Sequence, residues 1–409
     1  MMQSRLFTAM FRGVPEALRH NFLYMYLDIA SWGFYTGSTI VFLTVYAARA
    51  GATTQQIGLM SAAPALISLV LSIPAGLFAR RYVPKKLVTV AAFFARMLLF
   101  AYVLIPMLPG EALRINALLV VTALIAVPNT LLNIVFGPFL MSVIPSDWRG
   151  TVVSLRNAIM SVLSFVVTLV CGQILTAMAF PAGYQIVFFI GFLGAMGTVY
   201  ALSRTEVLNP DGAPTLARTS PGLFLPRIDP SARRYIVIAL LLFALNATTF
   251  MANPVLPELY VNEIRLSDAV ISVGAALTSM IVFVVSLFVA RLTRKFGNRR
   301  GTVIGVAVLA AQTLLLAFAR DAATFLAASA VAGLASGILA AAQYNYHLDN
   351  LPREEQTVWI AWSTLLGNIA ALLGSLAGPA IAEMAGIPVV LGGLALLRLL
   401  IGLAIWLWG

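Results

Sequence analysis

Gly76-Leu77-Phe78-Ala79-Arg80-Arg81-Tyr82-Val83-Pro84-Lys85-Lys86 separates two long apolar runs, and 214 residues later Ala290-Arg291-Leu292-Thr293-Arg294-Lys295-Phe296-Gly297-Asn298-Arg299-Arg300 separates two more. The same offset lines up Tyr46 with Tyr260 and Ile57 with Ile271. A second junction, Pro145-Ser146-Asp147-Trp148-Arg149, has a weaker counterpart around Pro352. Basic junctions that recur at a fixed offset between apolar runs point to a chain built from two parallel repeats.

The runs on either side set the class. Of 409 residues, 61% are hydrophobic and 10% are charged, against roughly a quarter charged in an ordinary soluble domain. That balance excludes a soluble enzyme, a disordered scaffold and a nucleic-acid-binding module, because none of them can hide so much apolar surface from water. A bilayer-spanning helix needs about 20 mostly apolar residues. Twelve stretches qualify, near 20–47, 55–79, 87–108, 114–143, 150–178, 184–203, 234–261, 268–293, 301–319, 322–347, 355–385 and 388–408. The expected fold class is therefore an all-α membrane protein with twelve transmembrane helices in two pseudo-symmetric six-helix lobes. No period-two alternation over short segments supports a β-barrel. The first residues carry Arg5, Arg12, Glu16 and Arg19 but no short apolar run with a small-residue cleavage site, so they do not read as a secretory signal.

The net charge of +11 has a topological explanation. With the N-terminus placed in the cytoplasm, 19 of the 26 basic residues fall on the cytoplasmic side and four (Arg49, Arg114, Arg265, Arg320) on the other. The remaining three, Arg96, Arg156 and Arg398, fall inside spans. This is a strong positive-inside bias. It places both termini in the cytoplasm, in the manner of a bacterial cytoplasmic (inner) membrane protein. The basic residues meet anionic lipid headgroups and require no nucleic-acid partner.

The longest polar break, 204–232, contains Pro210, Pro214, Pro221, Pro226 and Pro230 and reads as a cytoplasmic linker. It divides the chain into an N-terminal six-helix lobe, 1–203, and a C-terminal one, 233–409. Leu223-Phe224-Leu225-Pro226-Arg227 within it suits the membrane interface. Twelve helices, a central linker and a basic hinge after helices 2 and 8 resemble the major facilitator superfamily, and the resemblance covers essentially the whole chain. That family's hinge motif is Gly-x-x-x-Asp-Arg-x-Gly-Arg-Arg. Gly76, Arg81, Lys85 and Lys86 match it, as do Lys295, Gly297 and Arg299 in the second copy, but Arg80 and Arg294 stand at the acidic position. The resemblance implies that Arg80, Arg81, Lys85, Arg294, Lys295 and Arg299 act in gating. Glu206 or Asp147 is then the candidate for the missing negative charge. The alternative is that these residues only anchor topology. The family's drug/proton antiporters carry an arginine in helix 4 and a Gly-Pro in helix 5; here helix 5 has Cys171-Gly172-Gln173 and no following proline. Gly374 to Pro379 in helix 11, and Gly333 with Gly337 in helix 10, read as close-packing surfaces.

Charges inside the membrane are costly and usually face a cavity. Asp28 is the acid deepest in a span. Tyr24, Asp28, Trp32, Tyr35 and Thr39 share its helical face. A carboxylate removed from water favours its protonated form, whereas a neighbouring cation favours the charged one. A balance of the two lets proton binding respond to conformation, so Asp28 is the proposed proton-coupling residue. Arg156, at a similar depth of roughly 10 Å, is its first candidate partner and Arg96 its second. Arg398 has no evident partner, and a lipid phosphate is one candidate. The candidate substrate-binding residues are Trp32, Tyr35, Asn129, Asn133, Asn157, Asn246, Asn253, Trp359, Trp362 and Asn368. Ordinary interhelical hydrogen bonding is the alternative for each. Pro254 and Pro257 predict a kink in helix 7.

No glycine-rich phosphate loop is present, so ATP is not the expected energy source. No nucleophile stands beside an aligned base, so no enzymatic activity is expected. One cysteine and two histidines leave little for a metal site. The expected protein is a monomeric, alternating-access secondary active transporter, without cofactor and driven by a proton gradient. Its expected substrate is a small neutral or amphipathic organic solute, with efflux favoured over uptake. The alternatives are a flippase for lipids or lipid-linked solutes, and a non-transporting sensor or assembly partner.

Overall fold

A computed structural model describes residues 14–208, 230–352 and 356–408. The interfacial stretch 223–227, most of the expected linker and the side chain of Arg294 lie outside the described residues. Among those described, every regular element is helical. We number the spans α1 (16–49), α2 (Thr54–Ala79), α3 (Pro84–Met107), α4 (Glu111–Val143), α5 (Ser146–Ala177), α6 (Ala182–Arg204), α7 (230–263), α8 (Asp268–Phe296), α9 (Asn298–Ala317), α10 (Ala322–Asp349), α11 (Gln356–Ala385) and α12 (Ile387–Trp408).

Eleven of these are long and apolar enough to cross a membrane by length and composition. The exception is α1, which carries Glu16, Arg19 and Asp28. It is nonetheless long enough at about 1.5 Å per residue, and it packs along α5 and α6. The repeat seen in the sequence is visible in the helix starts. Thr53 caps α2 through the Gln56 amide, Ser267 caps α8 through the Val270 amide, and the two caps are 214 residues apart. The starts of α3 and α9, Pro84 and Asn298, keep the same offset.

Packing follows the repeat. In the N-terminal half α1 lies on α5 and α6, and α4 on α2 and α3; in the C-terminal half α7 lies on α11 and α12, and α10 on α8 and α9. The halves meet through α2 against α11 and α5 against α8. Small residues make these contacts close. A Cβ added to Gly58 would strike the Ser375 carbonyl and the Pro379 ring, and one added to Gly172 would strike the Ser272 side chain. Gly374 and Gly378 bring α11 onto α7 at Phe250 and Met251, and Gly333 and Gly337 bring α10 onto α8 at Ile281 and Val285. With lipid no less apolar than leucine, such close approach supplies the dispersion that hydrophobic burial supplies in water. Leucines, valines and phenylalanines such as Val70, Phe94, Leu287 and Leu396 stay exposed on the outer faces, as a lipid-facing surface requires.

Three spans are interrupted. α3 pauses at Leu99 and ends in a 3-10 turn at Ile105–Met107. In α1, Thr36–Ile40 forms a π turn. The Thr36 and Ser38 hydroxyls bond back to carbonyls one turn earlier, and the Thr168 hydroxyl of α5 donates to the Gly37 carbonyl at 2.9 Å. In α7 the helix breaks after Ala252 and resumes at Leu256, at the position of Pro254 and Pro257, before a π turn at Leu259–Glu263. Proline removes the backbone donor that would continue the ladder. We call the end of the bundle that holds residues 16 and 408 the near end, and the opposite end the far end.

Candidate functional site

The Asp28 carboxylate lies on α1 three residues after Met25. Its Oδ2 is 2.9 Å from Arg156 Nη2, and Arg156 Nη1 donates to the Met25 carbonyl at 2.6 Å. Both side chains are buried. One guanidinium from α5 thus clamps a carboxylate and a backbone oxygen of α1. Arg96 is also buried, but it makes no ion pair. Its Nη1 donates to Asn129 Oδ1 at 3.0 Å, and its guanidinium stacks on Trp32 with its carbon 4.3 Å from the ring centroid. Nε reaches the Thr198 hydroxyl at 3.4 Å. A planar guanidinium suits an aromatic face, and Trp32 sits one turn beyond Asp28 on the same face. Tyr35 packs on Trp32 at 4.7 Å between ring centroids. Asp28 with Arg156, and Trp32 with Tyr35, Arg96 and Asn129, therefore form two groups one helical turn apart along α1 within the N-terminal half.

The far end is closed by polar contacts between the halves. Arg49, the last residue of α1, donates from Nε to Asp268 Oδ1 at 2.7 Å and from Nη2 to the Leu266 carbonyl at 2.7 Å. Gln55 donates to the Glu383 carboxylate. Beneath them one apolar cluster draws Phe42 and Val45 from α1, Val255 and Leu259 from α7, and Ile271 from α8 into a common core. A recess of about 590 Å³ opens above these contacts, lined by Arg49, Glu111, Glu258 and Glu383 among others. Below the closure lies a cavity of about 600 Å³. Thr44 of α1 and Ser61 of α2 line one side of it; Thr249, Asn253 and Tyr260 of α7, Thr278 of α8, Gln312 and Thr313 of α9 and Arg398 of α12 line the rest.

The remaining expected residues scatter. Asn133 and Asn157 are exposed, and Trp362 and Asn368 are half-buried. Asn246 accepts a long bond from Gln343, at 3.5 Å. Trp359 is buried edge-on against Tyr235, at 5.2 Å, in a packing cluster between α7 and α11. Asn129 is engaged by Arg96 through its Oδ1.

The expected gating residues divide similarly. Arg80 and Arg81 are exposed, and Lys295 lies 5.4 Å from the Phe296 ring. Arg299 is turned away from the other half; it donates to the Ile405 and Trp406 carbonyls, which lack helical partners at the end of α12. Glu206 pairs with His20 at 3.7 Å, and its backbone N–H donates to Asn21 at 2.7 Å, so it fastens the end of α6 to α1.

Two features escaped the sequence. The Arg49–Asp268 bridge joins residues 219 apart, and nothing in their local patterns links them beyond opposite charge at two facing span ends. The partners of Arg398 are Thr248 and Thr313, hydroxyl residues that a search for acids passes over.

Residues 236–409 match the sequence model of the Major Facilitator Superfamily. No curated protein matches the chain. Among solved structures it is similar to a bacterial homologue of the iron transporter ferroportin in an inward-facing state, at 12% identity, with a TM-score of 0.72 over 94% of this chain and 98% of that one. It is similar to the xylose transporter XylE from E. coli at 13% identity, with a TM-score of 0.69 over 95% and 98% of the two chains. The nucleoside transporter NupG gives 11% identity and a TM-score of 0.69 over 94% and 99%. At these identities the likeness is one of fold. Residues 236–409 thus carry the sequence pattern of the Major Facilitator Superfamily, and along both halves the chain shares its fold with solved transporters.

Proposed function

We propose that this protein moves a small amphipathic organic solute by alternating access and couples the movement to protons at Asp28. The observation that carries this reading is the buried Asp28–Arg156 pair. It is a titratable carboxylate held by one cation, on the helix that also supplies the far-end bridge through Arg49. Protonating Asp28 removes the ion pair and leaves Arg156 held to α1 through the Met25 carbonyl alone, a weaker clamp, which gives a proton a mechanical effect within the bundle. The cavity lining is mostly apolar, with hydroxyls and amides and one charge, which suits an amphipathic solute better than a polyanion. Export is the proposed direction, because such a lining suits lipophilic compounds leaving the cell. The proposed setting is a bacterial cytoplasmic membrane with the near end in the cytoplasm. There the protein acts as a monomer among lipids, with the proton gradient as its energy source and no resident cofactor.

The test is flux in proteoliposomes, using a solute selected by thermal-shift screening of the purified protein. The wild type accumulates that solute against its gradient when a pH gradient is imposed. Asp28→Asn retains exchange down the solute gradient and loses the uphill component. Uphill transport unchanged in Asp28→Asn sinks the coupling role.

A further inference from the structure

Arg398 lies midway along α12 and is 2% exposed. Its Nε donates to the Thr248 hydroxyl at 3.0 Å, its Nη2 to the Thr248 carbonyl at 3.1 Å, and its Nη1 to the Leu309 carbonyl at 3.4 Å and to the Thr313 hydroxyl. All four acceptors are neutral. A guanidinium has five N–H groups, so one Nη2 hydrogen is left over. No carboxylate pairs with it among the described residues. The buried charged residues described are Asp28, Arg96, Arg156 and Arg398, three cations and one anion. Asp28 compensates Arg156, and Arg96 rests on Trp32, whose ring face is negative. Arg398 alone has neither a carboxylate nor an aromatic face, and it alone of the three cations lines the 600 Å³ cavity.

An uncompensated buried charge is among the costliest features a fold can carry. Where it borders a cavity of ligand size, its natural complement is a charge brought in by the ligand. The Gln312 side chain supplies a further polar group at the same wall, while the Thr313 hydroxyl accepts from Arg398 and donates to the Leu309 carbonyl. From Thr44 and Tyr260 round to Phe325 the lining is a mixture of apolar walls and single hydroxyls.

We propose that the cavity binds an organic monoanion, its carboxylate or like oxyanion held by Arg398 and its apolar body against α7, α8 and α10. A single guanidinium matches a single negative charge, which excludes a polyanion. The proposal deepens the transporter reading by naming the substrate class, and it rests on that reading for the solute's passage but not for its binding. The same oxyanion chemistry is available from a free solute and from an anionic lipid headgroup.

The experiment reads binding to detergent-purified full-length protein with no gradient present, so it is separate from the coupling test. The probes are sodium benzoate and sodium octanoate, each beside its neutral amide, and phosphatidylglycerol beside phosphatidylcholine in mixed micelles. The expected result is that the carboxylates raise the melting temperature in a saturable way and the amides bind roughly tenfold or more weakly, the scale of a lost charge-assisted hydrogen bond. Arg398→Gln removes the carboxylate preference, and Arg320→Gln, an exposed far-end cation, keeps it. Arg398→Lys retains the charge and part of the preference, which covers the case in which the glutamine variant does not fold. A shift with phosphatidylglycerol alone, lost in Arg398→Lys or Arg398→Gln, identifies the anion as a lipid headgroup and overturns the solute assignment. Equal binding of acid and amide by the wild type, or a carboxylate preference intact in Arg398→Gln, overturns the site altogether. Carboxylate binding by a wild type that shows no uphill flux leaves this site standing and removes the coupling reading.

Discussion

Asp28 and Arg156 stand 2.9 Å apart across the α1–α5 contact, and the same guanidinium holds the Met25 carbonyl three residues earlier. The pair is therefore also a structural clamp, and the two roles are separable. Removing one partner leaves the other charge buried and alone, which costs about 3–5 kcal/mol. Removing both restores neutrality. The double variant Asp28→Asn/Arg156→Gln is expected to melt higher than either single variant, measured on purified protein in one detergent, while uphill transport stays absent in all three. A double variant no more stable than the singles argues against charge compensation between these residues.

The Arg49–Asp268 bridge makes the second prediction. Its side chains keep 25% and 14% exposure, so solvent screens the pair and its worth is about 1 kcal/mol. If it holds the far end shut, losing it shifts the closed-to-open ratio about fivefold. Cys171, the single cysteine, is fully buried, so a cysteine placed at Ser61 in the cavity wall reports access against a silent background. A membrane-impermeant maleimide added from the far side is expected to label Ser61→Cys about fivefold faster when Asp268→Asn is also present. An unchanged rate removes the bridge from the gate.

The membrane class and the repeat were legible because bilayer thickness and capping act locally. Residues apolar enough to leave water mark spans wherever they fall, and the matching caps Thr53 and Ser267 sit at the offset seen in the two basic junctions. Helix α1 shows where that legibility ends. Its polar face blurs both edges, and the helix runs 16–49 rather than 20–47. Asp28 stood out because a carboxylate is rare at that depth. The destinations of Arg96 and Arg398 did not, because their partners are a tryptophan face, an amide, hydroxyls and carbonyls, and no pattern along the chain marks which of many such groups will face a guanidinium. The packing of Trp359 against Tyr235 was not legible for a related reason. Aromatic residues in a span serve packing and ligand contact alike, and only the neighbouring helix decides between them.

Glycines 58 and 76 separate close contact from conformational freedom. A Cβ on Gly58 would meet the Ser375 carbonyl and the Pro379 ring, whereas one on Gly76, the first residue of the basic junction, has no neighbour within 4 Å. Gly58→Val is expected to push α2 from α11, abolish transport and raise far-side labelling of a cysteine at Thr44. Gly76→Val is expected to be tolerated in stability, because helix propensity differs little between the two residues. Loss of transport in a well-folded Gly76→Val protein shows instead that α2 meets a neighbour there in another state of the cycle.

Trp359 tests the line between packing and binding. Its ring is buried edge-on to Tyr235, and the Tyr235 hydroxyl bonds Ser363, one turn along α11 from Trp359 itself. The three side chains lock α7 to α11 near the near end, away from the cavity that Arg398 lines. Deleting such a ring leaves a void whose surroundings relax only in part, at about 3–5 kcal/mol. Trp359→Ala is expected to lower the melting temperature sharply, and Trp359→Phe to recover most of the loss, since the edge-to-face contact survives in smaller form. Neither is expected to change the KM of a transported solute, because the ring is not part of the cavity that Arg398 lines. A KM raised in Trp359→Phe at near-normal stability returns this tryptophan to the substrate path and places part of that path between α7 and α11.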